Sequence, residues 1–314
     1  MKLVRRATEL RTKGRPVCLA IGMFDGVHLG HQQVIRQAVT DAEQHEGLAV
    51  VVTFDRHPAA VLAPQRVPPL IYTLPQKLRA IEALGADAVL LIHFDRQFSS
   101  QPGEDFIREL AGGLGRIFSV CVGSAFTFGH QRTGNVDLLR RLGREMGFVV
   151  HGLAAVSLDG RRVSSTRIRE AIRGGELDAA QQMLGREYSL SGPVVRGDRL
   201  GRQLGFPTAN LDPTGLVLPP GGVYAIHAKA GRRQHRGVLN IGHRPTLKQP
   251  APQLRVEAHL FDFRGNLYGQ ELEVTFVAKV REERKFPSLD ALRQQIERDV
   301  AEVRTKFLKP SEPC

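Results

Sequence analysis

The stretch AIGMFDGVHLGHQQVI, residues 20–35, joins the end of an apolar run to the start of a helical pattern. The preceding run, PVCLAIG (16–22), predicts a strand, and the apolar side chains at positions 34, 35, 38, 39 and 42 recur at helical spacing. The loop between them holds three glycines and two histidines, His28 and His31. In α/β folds, ligands bind where a strand ends and a helix begins, and the free N–H groups of the first helical turn favour an anion. The stretch therefore predicts an α/β fold with an anion site at this loop.

The rest of the first half repeats this alternation. Apolar runs at 48–54, 87–94, 118–123 and 148–153 are typical of strands covered on both faces, and segments 74–86 and 136–147 have helical spacing. This order predicts a Rossmann-like parallel sheet with helices on both faces.

The character of the sequence changes past residue 186. Short segments in which apolar and polar residues alternate follow one another, with turn residues between them. The final segment, SLDALRQQIERDVAEVRTKF (288–307), instead has the pattern of an amphipathic helix with Ser288 as its N-cap. This half is expected to form a small antiparallel β-barrel with a C-terminal helix, and the domain boundary is placed between residues 185 and 186.

Composition excludes several classes of protein. The net charge of +12 is spread over both halves, aromatic residues make up 6% of the chain and Trp is absent, so no nucleic-acid partner is expected. No apolar run approaches the roughly 20 residues that span a bilayer, so no membrane partner is expected. The three cysteines have no metal-binding spacing, and Cys18 and Cys121 lie in apolar runs. A cytoplasmic protein is predicted.

The histidine pair alone leaves three interpretations open: an incidental pair, a zinc site and a nucleotide site. Zinc needs a third ligand, and none is suitably spaced. Neither G-x-x-x-x-G-K-[ST] nor a G-x-G-x-x-G after a strand is present. A second stretch, VSSTRIREAI (163–172), places Ser164, Ser165 and Thr166 at a helix start, where they form either a second anion site or an ordinary N-cap.

Together these motifs resemble a known family. G-x-F-D-G-x-H-x-G-H with S-S-T-x-[IV]-R is similar to the adenylyltransferase module of bacterial bifunctional riboflavin kinase/FAD synthetases, of the nucleotidyltransferase superfamily. GRQLGFPTANL (201–211) resembles the riboflavin kinase signature built around P-T-A-N. The resemblance implies an FMN adenylyltransferase domain over residues 1–185 and a riboflavin kinase domain over 186–314. It implies riboflavin, FMN, FAD and ATP as small-molecule substrates and products, and a monomer or weak homo-oligomer.

The resemblance also assigns residues in the first domain. His28 and His31 are the catalytic pair there. The resemblance implies that ATP is bound by these two histidines together with Gly22, Phe24, Ser164, Thr166 and Arg169. It implies that the flavin is bound by Asp55, His57, Phe126 and Phe128.

In the second domain, strand alternation puts Glu257 on the face opposite Val256 and Ala258. There it could accept the proton of the riboflavin 5′-hydroxyl, the role that the resemblance also gives it. Thr208 and Asn210, two apart in an extended segment, offer neutral oxygen ligands suited to Mg²⁺. The expected ATP-binding residues are Gly201, Gly205, Pro207, Thr208 and Asn210.

One position departs from the family pattern. In VGSAFTFGHQRTGN (122–135), Ala125 stands where the family has Asp or Asn, so an acceptor is missing, for which Ser124, His130 and Asp55 are the possible substitutes. Two rival interpretations also remain. One is a nucleotidyltransferase of other specificity fused to a non-catalytic flavin-binding barrel. The other is a flavin-binding or nucleic-acid-binding protein without chemistry.

Overall fold

A computed structural model describes residues 1–198, 200–244 and 253–308. Cys314 lies outside these ranges. Two units are distinguished: Met1–Arg167 with Met183–Gly185, and Ile168–Gln182 with Arg186 onward. In the described residues, no helix combines the length and apolar character needed to cross a membrane.

The first unit is built on a six-stranded sheet in which every pairing is parallel, as predicted. Its spatial order is β1-β4-β3-β2-β5-β6. This order places β2, the strand that leads into the histidine motif, in the interior of the sheet. The strands are β1 Lys2–Val4, β2 Val17–Ile21, β3 Leu48–Phe54, β4 Ala88–Ile92, β5 Ile117–Gly123 and β6 Val149–Leu153.

Helices cover both faces of this sheet because its strands are apolar on both sides. On β2, Leu19 and Ile21 pack in one core with α5 and α6, whereas Cys18 and Ala20 pack in another with α1 and α3. The helices of this part are α1 Leu29–Gln44, α2 Ala59–Leu62, α3 Leu74–Glu82, α4 Arg96–Ser99, α5 Gly103–Leu114 and α6 Val136–Met146. A two-stranded hairpin follows, β7 Ser157–Leu158 and β8 Arg161–Arg162, and then α7 Ser165–Gly174 and α8 Leu177–Leu184.

The second unit contains a closed antiparallel barrel in the order β10-β13-β12-β11-β14-β9, again as predicted. The C-terminal helix begins after Ser288, whose hydroxyl accepts from the Ala291 N–H at 3.1 Å. The Asp299 carboxylate on that helix is buried and holds the Arg281 guanidinium at 2.7 Å, which fastens the helix to β14. The elements are β9 Ser189–Val195, α9 Leu200–Gln203, β10 Ala209–Leu211, β11 Gly222–Ala230, β12 Arg233–Arg244, β13 Gln253–Leu260, β14 Glu271–Arg281 and α10 Leu289–Leu308.

Candidate active sites

The loop between β2 and α1 has a strained, closely packed backbone. Phe24, Gly26 and Val27 all have positive φ, at 50°, 75° and 42°. The buried Asp25 carboxylate fixes this shape by accepting from the Ile71 N–H at 3.0 Å. Positive φ is unfavourable for side chains such as Phe and Val, and such strain persists only where the surroundings over-determine the conformation.

The two histidines meet at the start of α1. His28 is the N-cap residue, and its Nδ1 accepts from the His31 N–H at 3.4 Å. The two rings stack with centroids 3.6 Å apart, and the Phe24 ring meets His31 edge-on at 5.3 Å. A Cβ at Gly22 would lie 2.9 Å from the Phe24 ring, so a larger residue there would require that ring to shift. The two imidazoles therefore lie together at the N-terminus of α1.

These groups line a cavity of about 380 Å³, called here the histidine cavity. Ala125 also lines this cavity, as does Ser124, one of its three possible substitutes. Of the described residues expected to bind ATP, Thr166 is not in the lining, and Arg169 belongs to the second unit, where it is buried. The expected residues that do line the cavity are Gly22, Phe24, His28, His31 and Ser164, together with Phe126 from the flavin set.

Ser164 and Ser165 of the S-S-T stretch also line the histidine cavity. The Ser165 hydroxyl donates to the Asp25 carbonyl at 3.1 Å, and the Ser164 hydroxyl accepts from the Arg167 N–H at 3.2 Å. The Arg167 guanidinium donates to the Arg161 carbonyl at 3.0 Å and so secures the β7–β8 hairpin. That hairpin brings Arg162 into the lining of the histidine cavity. Arg162 was not predicted from the sequence, although a basic pair one residue before a Ser/Thr cluster was a usable signal.

A second cavity of about 360 Å³ adjoins the first; we call it the phenylalanine cavity. Met23, Phe126 and Thr127 line both cavities. The Phe126 and Phe128 rings stack at 5.3 Å. The expected flavin residues His57, Phe126 and Phe128 line it, together with four rings that the sequence analysis did not single out: Phe54, Phe94, Phe98 and Phe106.

Asp55 is held in a different way. In the part of the chain that the structure describes, Asp55 lines neither of these two cavities. Its Oδ2 lies 2.6 Å from the His93 Nδ1. Burial raises the pKa of Asp55, but hydrogen bonds from His93 and the Phe94 N–H, with the charge of Arg56, outweigh it, so that the pKa falls below its ordinary value. Asp55 is therefore a carboxylate that buttresses the loop after β4.

In the barrel, Glu257 stands in a row of polar residues across three strands. Its register partners are Asn210 on β10 and Asn240 on β12. The Arg255 guanidinium lies 3.8 Å from the Glu257 carboxylate and 2.8 Å from that of Asp198. On the same strand Val256 and Ala258 are buried, which confirms the predicted alternation.

Two cavities lie in this unit: one is lined by Glu257 and Asn240 of the row, and the other by Ala258 and Leu260 on the opposite face of β13. The helix cavity, of about 300 Å³, is lined by Asn240, Glu257, Phe206 and Phe286, and by Leu292 of α10. The loop cavity, of about 490 Å³, is lined by Pro207, Thr208, Arg202, Asn266 and Tyr268 among others. Thr208 lines both.

The remaining expected kinase residues occupy other places. Gly201 lines the helix cavity, where a Cβ would collide with the Phe206 carbonyl. Among the described residues Gly205 and Asn210 line neither cavity; Gly205 takes a turn conformation with φ 92°. A Cβ at Gly197 would collide with the Asn210 carboxamide, so the loop after β9 passes directly over that side chain.

The donor set of Thr208 and Asn210 fits Mg²⁺ chemically. Asn210 is the register partner of Glu257, and Thr208 lines the helix cavity together with that carboxylate, so the pair offers two neutral oxygens; Mg²⁺ takes its other ligands from water and ATP phosphates. Within the described ranges, no cluster of three or more His, Cys, Asp or Glu side chains is arranged to hold a metal.

Comparison with known proteins identifies the two halves. A family model described as FAD synthetase matches residues 10–167, and one described as riboflavin kinase matches residues 184–307. The match of the second model disfavours a barrel without kinase chemistry.

Whole-chain relatives agree. Bifunctional riboflavin kinase/FMN adenylyltransferases from Haemophilus influenzae and Escherichia coli K12 are each 37% identical, over 98% of this chain and 99% and 98% of theirs. The Pseudomonas fluorescens enzyme of the same name is 38% identical over 97% of both chains. A crystal structure described as a macrolide-efflux protein from Streptococcus pneumoniae superposes with a TM-score of 0.81 and 27% identity, over 96% of this chain and 98% of that one. The chain therefore belongs to the family of bifunctional riboflavin kinase/FMN adenylyltransferases.

Proposed function

We propose that the α/β part, residues 1–185, adenylylates FMN and that the barrel part, residues 186–314, phosphorylates riboflavin. The observation that carries the proposal is the pairing of cavities of substrate size: two share Met23, Phe126 and Thr127 in the first unit, and two share Thr208 in the second. Two substrates that occupy adjoining cavities meet at the shared wall, and such proximity supplies much of the catalysis of group transfer.

In the first unit, the ATP phosphates bind in the histidine cavity and the flavin ring binds among the phenylalanines. The helix N-terminus, the two imidazoles and Arg162 favour the anionic phosphates, and aromatic faces suit a planar ring. Met23, Phe126 and Thr127, which line both cavities, then lie where the FMN phosphate approaches the α-phosphorus.

The transfer needs no covalent enzyme intermediate. An oxygen of the FMN phosphate forms a bond to the α-phosphorus of ATP, the bond from that phosphorus to the bridging oxygen breaks, and pyrophosphate leaves with the electron pair. His28 and His31 donate hydrogen bonds to the phosphate oxygens and stabilise the charge that develops on the leaving pyrophosphate.

In the barrel, the flavin ring occupies the helix cavity between Phe206 and Phe286, and ATP occupies the loop cavity. Glu257 accepts the proton of the riboflavin 5′-hydroxyl as that oxygen attacks the γ-phosphorus, and ADP leaves. Thr208 and Asn210 would hold Mg²⁺, which when bound neutralises phosphate charge. The free, buried thiols of Cys18 and Cys121 fit an enzyme that works in the cytoplasm.

Replacement of the histidine pair tests the assignment of the first unit. The His28→Gln, His31→Gln double variant should lose FAD formation from supplied FMN and ATP by about 10²-fold or more, because two donors to the phosphates are lost. FMN formation from riboflavin should persist. His45→Gln, at the other end of α1 where the ring contacts Phe118, is the matched control. Undiminished FAD formation in the double variant would overturn the assignment.

A further inference from the structure

A buried lysine contacts the wall shared by the histidine and phenylalanine cavities. Lys77, on α3, is 8% exposed and takes no part in the chemistry proposed above. Its ammonium donates to the Phe54 carbonyl at 2.8 Å, to the Thr53 hydroxyl at 3.3 Å and to the Met23 carbonyl at 3.4 Å. Phe54 lines the phenylalanine cavity, and Met23 lines both. One cation thus joins the end of β3 to the loop that leads into the histidine motif.

The Met23 carbonyl is held from two directions. The Thr53 hydroxyl, on a residue that is fully buried, donates to it at 3.1 Å, and the Lys77 ammonium donates both to that hydroxyl and to the same carbonyl. Two buried donors therefore determine where this peptide lies, and Met23 precedes Phe24, whose ring contacts His31.

A charge at this position is unfavourable to bury. Burial disfavours an ammonium and lowers the pKa of Lys77 from 10.5 to about 8, although Asp25 and Asp55 attract the cation. Asp25 belongs to the strained loop and Asp55 follows β3, where its carboxylate also contacts His93 and Arg56. An apolar side chain of similar length would fill the space without desolvating a charge.

We propose that Lys77 is a positioning residue for FMN adenylylation: it holds the Met23 peptide against the end of β3 and so fixes the wall between the two substrates. The inference rests on the function proposed for the first unit. In-line transfer depends on alignment, and a displacement of about 1 Å costs roughly 100-fold in rate.

The protonation of Lys77 gives the inference a signature in pH. Above about pH 8 the side chain loses its charge and one of its three donors, so FAD formation should slow as the pH rises through 8. The unfolded chain holds this proton up to a higher pH than the folded chain does. Deprotonation of Lys77 in the pH range between its folded and unfolded pKa values therefore stabilises the fold. A loss of activity in that pH range does not reflect unfolding caused by Lys77.

The test compares Lys77→Met with Lys13→Met, which removes an exposed positive charge from the same unit. Both activities are measured on each full-length chain from pH 7 to pH 9.5. In Lys77→Met we expect the kcat for FAD formation to fall about 10- to 100-fold with a smaller change in KM. FMN formation should stay within about twofold, and the decline in FAD formation near pH 8 should disappear. Lys13→Met should match the wild-type chain in all three respects.

A wild-type rate of FAD formation in Lys77→Met overturns the inference, as does an equal loss of both activities in a folded variant. If Lys77→Met does not fold, the wild-type pH profile decides. A profile of FAD formation without a decline near pH 8 would overturn the inference. A decline that FMN formation shows as well would also overturn it. A wild-type chain that makes no FAD at any pH would instead refute the proposed function of the first unit.

Discussion

Replacement of Glu257 by glutamine should separate chemistry from stability in the barrel. The amide keeps the size of the side chain, so the packing beside Asn210 and Asn240 is retained. Within the described part of the chain, the ion pair of Glu257 with Arg255, at 3.8 Å, involves a carboxylate side chain that is 28% exposed, and pairs of this kind contribute about 0–1 kcal/mol. Loss of a general base lowers the rate by roughly 10²–10⁴-fold, equivalent to about 3–5.5 kcal/mol of activation free energy. The kinetic effect should therefore be several times the change in the free energy of unfolding.

The assay follows FMN formation from riboflavin and Mg-ATP, and FAD formation from supplied FMN, in one preparation of Glu257→Gln. FMN formation should fall by the amount given above while FAD formation stays at the wild-type rate. Glu297→Gln is the matched control, because this exposed carboxylate of α10 pairs only with Arg293 among the ion pairs described. Near-normal FMN formation in Glu257→Gln would refute the base assignment.

Three further changes give distinct expectations. Ala125→Asn adds an acceptor to the histidine cavity and should raise FAD formation about two- to tenfold, the effect of one polar contact of about 0.5–1.5 kcal/mol. An unchanged or lower steady-state rate would show that another group already fills the role. Arg162→Gln should raise the KM for ATP in FAD formation by roughly tenfold or more, since a charge-assisted phosphate contact of about 1.5–3 kcal/mol is lost; an unchanged KM would contradict that contact. In urea unfolding, the wild-type chain should gain about 2–3 kcal/mol of stability between pH 7 and pH 10 relative to Lys77→Met, because the folded pKa of Lys77 lies below the unfolded one. Parallel stability curves for the two chains would contradict that shift.

The elements could be predicted from the sequence because their signals are local. The apolar runs at β2–β6 and the alternation at β13 identify strands without reference to the rest of the chain. Strand β1 was not predicted, because three residues with one buried side chain carry no period. The order β1-β4-β3-β2-β5-β6 was not predicted either, because it depends on which helix crosses which face, and no single segment encodes that.

The residues of the candidate sites were likewise predictable only where their signal is local in the sequence. The histidine pair was found because both imidazoles lie at the start of one helix, three residues apart in the chain. The phenylalanine cavity was missed because Phe54, Phe94 and Phe106 come from segments far apart in the chain and converge only in the folded sheet. Lys77 was missed for a related reason: in sequence it is one polar residue of an amphipathic helix, and only the packing of α3 on β3 buries it.

The central claim is that one chain carries out two successive transfers at two separate sites. The most direct measurement incubates the full-length chain with riboflavin and Mg-ATP and separates riboflavin, FMN and FAD over time. The account predicts that FMN appears first and FAD follows with one pyrophosphate released per FAD. It also predicts that Glu257→Gln blocks both products from riboflavin but not FAD from FMN, whereas the His28, His31 double variant stops at FMN. A chain that makes FAD from FMN but no FMN from riboflavin, or variants that lose both activities together, would contradict it.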